Sequence, residues 1–286
     1  ESRCAHYSGW GEHGYGEVFG GEWGWERDYP TRACPHPRPL PQVSSRFAPS
    51  KNIMLYIVAT PIGNLKDITL RALEILKNVD SIICEDTRRT GILLSHYQIK
   101  KPLLVLNDFN EARDVESIVV RLKSSENLAL VSDAGTPLIS DPGYKLVREC
   151  IKQGIQVDSI PGPSSLITAL TLSGLPPDKF TFLGYLPEKP GHRKHLLEGV
   201  NLDHLEGGLR RHLEVTYIIF VSPHKLLKNL EEMKEVFGDI EVVLAKELTK
   251  IHQSVEKKKI SEWIKTLKSP KGEYVLLFRI NTNVST

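Results

Sequence analysis

From Met54 onward the chain alternates short apolar runs with segments of helical period, and this alternation constrains the fold more than any other feature. "MLYIVAT", "SIICED", "PLLVLN", "LALVSDAG" and "VDSIPG" read as strands; "TLRALEILKNV", "TGILLSHY", "VESIVVRLKS", "YKLVRECIKQG" and "SLITALTLSG" read as the helices between and after them. Repetition of this kind predicts a mostly parallel sheet with helices on its faces, and ligands outside the carboxyl ends of the strands. "TFLGYLP" opens a second region. There "VTYIIFVS", "HKLLKNLEEMKEVFG", "IEVVLAKELT", "SEWIKTLKS" and "GEYVLLFRI" predict a smaller α/β domain. The punctuation "LSGLPPDK" places the boundary near Thr171 to Lys179, giving domains 53–173 and 174–286.

Residues 1–52 differ from the rest of the chain. They hold three of the four Trp, many Gly and the segment "PHPRPLPQVSSRFAPSK", with neither helical nor strand period. A disordered or non-native leader is expected there, with Met54, one of two methionines, as the natural start; a functional aromatic-rich arm is the alternative.

The composition of the 286-residue chain narrows the function classes. A formal charge of +2 is too small to argue for nucleic acid by itself, so only local basic patches can. No apolar run approaches the roughly 20 residues of a spanning helix, and no basic-then-apolar signal opens the chain, so a cytoplasmic protein without a membrane partner is expected. Cys4, Cys34, Cys84 and Cys150 are scattered without C-x-x-C spacing, and neither disulfides nor a metal site is expected.

Four strands end in loops of unusual chemistry: "ATPIGN" (Ala59 to Asn64), "EDTRRT" (Glu85 to Thr90), "SDAGTPLISDPG" (Ser132 to Gly143) and "PGPSS" (Pro161 to Ser165). Pro and Gly set turns and let a ligand approach the backbone, Thr and Ser offer hydroxyls, and Asp accepts from a ribose hydroxyl or an amino group. Each loop also has a plain structural reading: a β-to-α turn for "ATPIGN", a Ser-capped helix start for "PGPSS", and for "EDTRRT" a cap at Asp86 or Thr87 with Arg88 and Arg89 solvated. Neither a G-x-x-x-x-G-K-[ST] nor a G-x-G-x-x-G string is present, so the set suits a ribose and a cationic head group better than a polyphosphate.

Three stretches in this order, "LYIVATPIGNLKDITLRALEILKNVDSIICEDTRRTGILLSHY", "LALVSDAGTPLISDPGYKLVREC" and "VDSIPGPSSLITALTLSGLPPDKFTFLGYLPEK", closely resemble the ribosomal RNA small-subunit methyltransferase I family. The resemblance runs from about Met54 to Arg279. It implies a two-domain tetrapyrrole-methylase-like fold of the class III S-adenosylmethionine methyltransferases, with the donor cleft between the domains. It also implies 2′-O-methylation of a cytidine in the decoding centre of 16S rRNA, within the 30S subunit, by a homodimer. The implied donor contacts are Pro61, Gly63, Asn64, Asp133, Ala134, Gly135, Thr136, Pro137, Pro161, Gly162 and Ser164.

The chain departs from the family in two places, with "NDFNE" (Asn107 to Glu111) for "HEHNE" and "FVSPHK" (Phe220 to Lys225) for "YESPHR"; "GVNLDHLEGGLRRHLE" (Gly199 to Glu214) reads as an insertion.

Methyl transfer to a ribose hydroxyl needs alignment first and a proton acceptor second. Glu85, Asp86 and Asp108 are the candidate bases, while Asp133 suits donor binding. Arg88, Arg89, His192, Arg193 and Lys194 are candidate phosphate contacts, since guanidinium forks pair with phosphate oxygens. "LRRH" (Leu209 to His212) and "KKK" (Lys257 to Lys259) are further basic runs, the latter also explained as solvated surface, and "SPHK" reads as a Ser-capped, Pro-initiated helix. A small-molecule methylase would share the donor loops but need an apolar acceptor pocket; a non-catalytic RNA-binding protein would need neither. A serine hydrolase lacks its G-x-S-x-G elbow.

Overall fold

The computed structural model describes residues 53–107, 111–206 and 215–280. The expected leader, Asp108 and the "LRRH" run lie outside the described residues.

Five parallel strands form the first sheet: β1 (Met54–Val58), β2 (Ser81–Cys84), β3 (Leu103–Val105), β4 (Leu128–Val131) and β5 (Gln156–Ile160), in the order β3-β2-β4-β1-β5. β2 and β4 are buried along their whole length, which is why they read as unbroken apolar runs. Helices α1 (Leu70–Asn78) and α2 (Thr87–His96) pack on one face through Ala72, Ile75, Leu76, Leu93 and Leu94. On the other face lie α3 (Glu111–Lys123) and α4 (Tyr144–Lys152), through Ile118, Leu122, Leu146 and Cys150. β2 therefore hands its chain to one face and its neighbour β4 to the other. The two exits diverge, and a crevice opens between them at the carboxyl ends.

Helix α5 (Ser165–Leu172) leads through residues 173–179 to the second sheet. This sheet comprises β6 (Phe180–Tyr185), β7 (Thr216–Val221), β8 (Glu241–Lys246), β9 (Ser254–Lys259) and β10 (Tyr274–Phe278), in the order β6-β7-β10-β8-β9. Among these described strands β6 and β7 run parallel and the other pairs are antiparallel. Helices α6 (Pro190–Glu206), α7 (Leu226–Phe237) and α8 (Ile260–Thr266) cover one face. The other face meets the first lobe, where Ile62, Leu166, Ala169 and Leu170 share one apolar cluster with Ile218, Val243, Ala245, Leu248, Val275 and Leu277. The two lobes thus share a core, and the crevice above the first sheet faces the second.

Strand β9 carries the "KKK" run and has no apolar alternation to mark it. It lies at the sheet edge, where Lys side chains oppose pairing with another chain. Lys257 pairs with Glu241, and Lys258 lies 4.3 Å over the Trp263 ring.

Candidate functional site

A cavity of about 430 Å³ lies between the lobes. The exits of β2 and β4 supply Glu85, Arg89, Asp133, Ala134, Gly135 and Thr136; the start of α5 supplies Ser164; the second sheet supplies Tyr185, Phe220, Leu248 and Glu273.

Hydrogen bonds tie the loops under this cavity into one floor. Thr60 donates its amide to the Gly135 carbonyl (2.9 Å), Gly135 donates back to Thr60 (3.0 Å), and the Thr60 hydroxyl donates to the Ser132 carbonyl (3.1 Å). Ser132 Oγ donates to Gly135 O (2.9 Å), and Thr136 Oγ1 donates to Pro163 O (3.1 Å), bringing in the loop before α5. Ser164 caps α5 by accepting from the Ile167 amide. Gly162 lies against Ala59, where an added Cβ would sit 3.0 Å from the Ala59 Cβ.

Asp133 links the two diverging exits. Its Oδ1 accepts from the Asp86 amide (3.2 Å), and its Oδ2 lies 3.5 Å from Arg89 Nε. Asp86 itself caps α2. Its carboxylate accepts from the Arg88 guanidinium (3.0 and 2.7 Å) and from the Arg88 amide (2.8 Å), and those bonds lower its pKa to about 2. An acid held that low is a weak proton acceptor at neutral pH. Of the described candidate bases, Glu85 lines the cavity and Asp86 does not. Arg88 is spent on Asp86, whereas Arg89 reaches the cavity.

Pro61, Pro137, Pro161 and Gly162 shape the loops without lining the cavity. Gly63 and Asn64 lie outside the lining, where the lobes meet. An added Cβ on Gly63 would stand 2.5 Å from Lys250 Cγ and 2.7 Å from the Leu248 carbonyl. Asn64 donates its amide to Thr249 Oγ1 (3.1 Å) and caps the short 3-10 turn Leu65–Asp67.

The basic run on α6 divides. His192 and Lys194 differ from Arg193 in exposure: Arg193 is 3% exposed, whereas the Lys194 side chain is largely open beside Glu198. Arg193 pairs with Glu232 of α7 and donates to the carbonyls of Pro187 (2.7 Å) and Glu188 (3.0 Å), so it braces the β6–α6 turn and is not available to a phosphate. The "SPHK" stretch is a Pro-initiated 3-10 turn, but Ser222 makes no side-chain cap; Ser222 and Pro223 line the cavity. Leu248 and Glu273 had no motif to mark them, because the second sheet brings them to the site from far along the chain, and Tyr185, inside "TFLGYLP", had no chemistry to single it out. Asp141, also in the lining, stands inside the "SDAGTPLISDPG" string.

Among the described residues the lining holds four carboxylates (Glu85, Asp133, Asp141 and Glu273) against one guanidinium (Arg89), with an apolar wall of Ile62, Ala245, Leu248 and Val275. Asp133 lies beside Arg89 and Glu273 pairs with Lys250, yet the set still suits a cation carrying a flat apolar part better than a polyphosphate. The volume is within the range of small-molecule sites, about 300–1,000 Å³. Charge, wall and size all fit S-adenosylmethionine, the donor that the sequence resemblance implies.

Comparison with known proteins agrees with a two-lobed methylase. The family model for Tetrapyrrole (Corrin/Porphyrin) Methylases matches residues 54–263. Solved structures of similar fold include a uroporphyrin-III-C-methyltransferase from Thermus thermophilus (TM-score 0.55, 17% identity, 79% of this chain and 93% of that one) and a diphthine synthase (TM-score 0.58, 16% identity, 79% and 89%). Curated relatives named ribosomal RNA small subunit methyltransferase I are much nearer in sequence. The Thermotoga maritima protein is 46% identical over 225 residues, covering 78% of this chain and 96% of its own, and that of Escherichia coli O157:H7 is 46% identical over 228, covering 78% and 76%. The chain belongs to the tetrapyrrole methylase family, among the ribosomal RNA small subunit methyltransferase I proteins.

Proposed function

We propose that the protein transfers a methyl group from S-adenosylmethionine to a ribose 2′-oxygen of a cytidine in small-subunit ribosomal RNA, acting as a homodimer on the assembled subunit. The carboxylate-rich cavity at the exits of β2 and β4 is the observation that carries this reading, because it suits a cationic donor. The names of the relatives supply the acceptor class.

Bound S-adenosylmethionine supplies an electrophilic methyl group on a sulfonium. Asp133, Ala134, Gly135, Thr136 and Ser164 would hold it, over a floor already fixed by the Thr60–Gly135 and Thr136–Pro163 hydrogen bonds. Pre-set loops lower the cost of alignment, the main requirement of an in-line displacement. Glu85 takes the hydroxyl proton as the 2′-oxygen attacks, its role as base supported by its place in the lining. The anionic RNA backbone stays outside the acidic cavity, and exposed His192 and Lys194 on α6 are candidate contacts for it.

The test is transfer of a labelled methyl group to 30S subunits lacking decoding-centre ribose methylation, with the modified nucleotide mapped. Label on a cytidine 2′-oxygen supports the reading. Label on a base, or on a small tetrapyrrole and not on RNA, would send it to another acceptor.

A further inference from the structure

Two irregular stretches of backbone meet at the rim of the cavity. β6 pairs with β7 as Phe180 with Thr216, Thr181 with Tyr217 and Phe182 with Ile218, and then as Tyr185 with Phe220. β6 thus advances three residues while β7 advances two. The extra residue is accommodated as a bulge, with Gly184 at φ 69°. In a regular strand Phe182 and Tyr185, three apart, would point to opposite faces. Here both rings meet Phe220 edge-on, with centroids 4.8 and 5.7 Å away. Phe182 packs into the core between the lobes, whereas Tyr185 remains 61% exposed and lines the cavity.

The first lobe brings a counterpart. Ile139, 45% exposed and also in the lining, stands between Leu138 (φ 75°) and Ser140 (φ 62°), both in the left-handed region that non-glycine residues disfavour. An added Cβ on Gly184 would be 3.9 Å from Ser140 Oγ, so the bulge and the strained turn abut. Neither exposed side chain is needed to fill a core. The bulge at Gly184 turns Tyr185 to the cavity, and two left-handed non-glycine residues hold Ile139 there.

We propose that Tyr185 and Ile139 form a slot in which the base of the acceptor nucleotide stacks, so that its ribose reaches the donor site. This rests on the RNA-methylation reading above. A base has an apolar face that an aromatic ring accepts whatever its identity, and a nucleotide drawn out of its RNA stack needs such a surface to replace the neighbours it leaves. The lining holds more carboxylates than cations, even with Asp133 beside Arg89 and Glu273 beside Lys250, so the nucleotide enters base and sugar first, with its backbone left at the rim.

The experiment compares wild type, Tyr185→Ala and Tyr185→Phe in methyl transfer to 30S subunits and in calorimetric binding of S-adenosylmethionine. Loss of one stacking partner is worth roughly 5- to 150-fold. Tyr185→Ala is expected to raise KM for the subunit by that factor and to change donor affinity less, with the melting temperature reporting an intact fold, and Tyr185→Phe recovers most of the loss. An unchanged KM in Tyr185→Ala overturns the slot, and so does a Phe variant as poor as Ala, since the hydroxyl and not the ring would then be acting. If wild type labels no RNA at all, the RNA reading itself falls and takes the slot with it.

Discussion

Thr60 and Gly135 exchange two backbone hydrogen bonds, at 2.9 and 3.0 Å, across the exits of two parallel strands. β1 and β4 are neighbours whose connections leave for opposite faces of the sheet, so nothing in the strand ladder would hold their exits together. This isolated antiparallel bridge does so. With the Thr60 hydroxyl on the Ser132 carbonyl, it fixes the backbone of Asp133 to Thr136 before any ligand arrives.

Gly135 makes the bridge possible by adopting φ 92°, and a Cβ there would also come within 3.3 Å of Ile62 Cγ2. Gly135→Ala should cost about 1–2 kcal/mol in left-handed backbone strain, shifting the loop and weakening donor binding roughly tenfold. Calorimetric titration with S-adenosylmethionine checks this. An unchanged affinity would mean that the loop's shape does not matter to the donor.

Gly63 tests inter-lobe packing against ligand contact. Gly63→Val drives a side chain into the Leu248 carbonyl, which is backbone and cannot turn aside, so about 1–3 kcal/mol of overpacking is expected. The melting temperature should therefore fall by several degrees, roughly 2–4 °C per kcal/mol for a chain of this size. Lost donor affinity at unchanged melting temperature would instead make Gly63 a donor residue.

Arg193 is buried with its guanidinium divided between Glu232 and two carbonyls. Arg193→Ala should destabilise by about 3 kcal/mol, and Arg193→Lys should not restore the loss, because an ammonium cannot reproduce the fork. Denaturant unfolding measures both variants. A stable Arg193→Ala protein with weakened RNA affinity would contradict the bracing role.

The same pair sets a pH dependence. Arg193 hydrogen bonding lowers the Glu232 pKa from its ordinary 4.5. Folded below unfolded means that the pair's stabilisation is complete above about pH 4.5 and is lost as pH falls through the folded value. Glu232→Gln should flatten that part of the acid unfolding profile relative to wild type. An identical profile in the variant would show that the pair does not titrate with folding.

Much of this was legible in the residues, and the gaps have physical causes. β2 and β4 are buried on both faces and spell out unbroken apolar runs, and the polar loops at their ends stood out against them. Arg193 was hidden in "HRKH" by its charged neighbours, although Arg193, Leu197 and Val200 fall at helical spacing on one face and all three are buried. Strand β9 gave no signal, because an edge strand of Glu and Lys needs no apolar alternation. The inter-lobe contacts of Gly63 and Asn64 were hidden because their partners, Leu248 to Lys250, lie about 185 positions away. Tyr185 owes its place to a bulge that pairing alone reveals.

The most direct test of the donor site is calorimetric titration of S-adenosylmethionine into wild type and Asp133→Ala. The four-carboxylate cavity predicts saturable binding to wild type and a loss of roughly tenfold or more in the variant, about 1.4 kcal/mol per factor of ten. Equal affinity in the two proteins, or no binding to wild type, would contradict the placement of the methyl donor between the exits of β2 and β4.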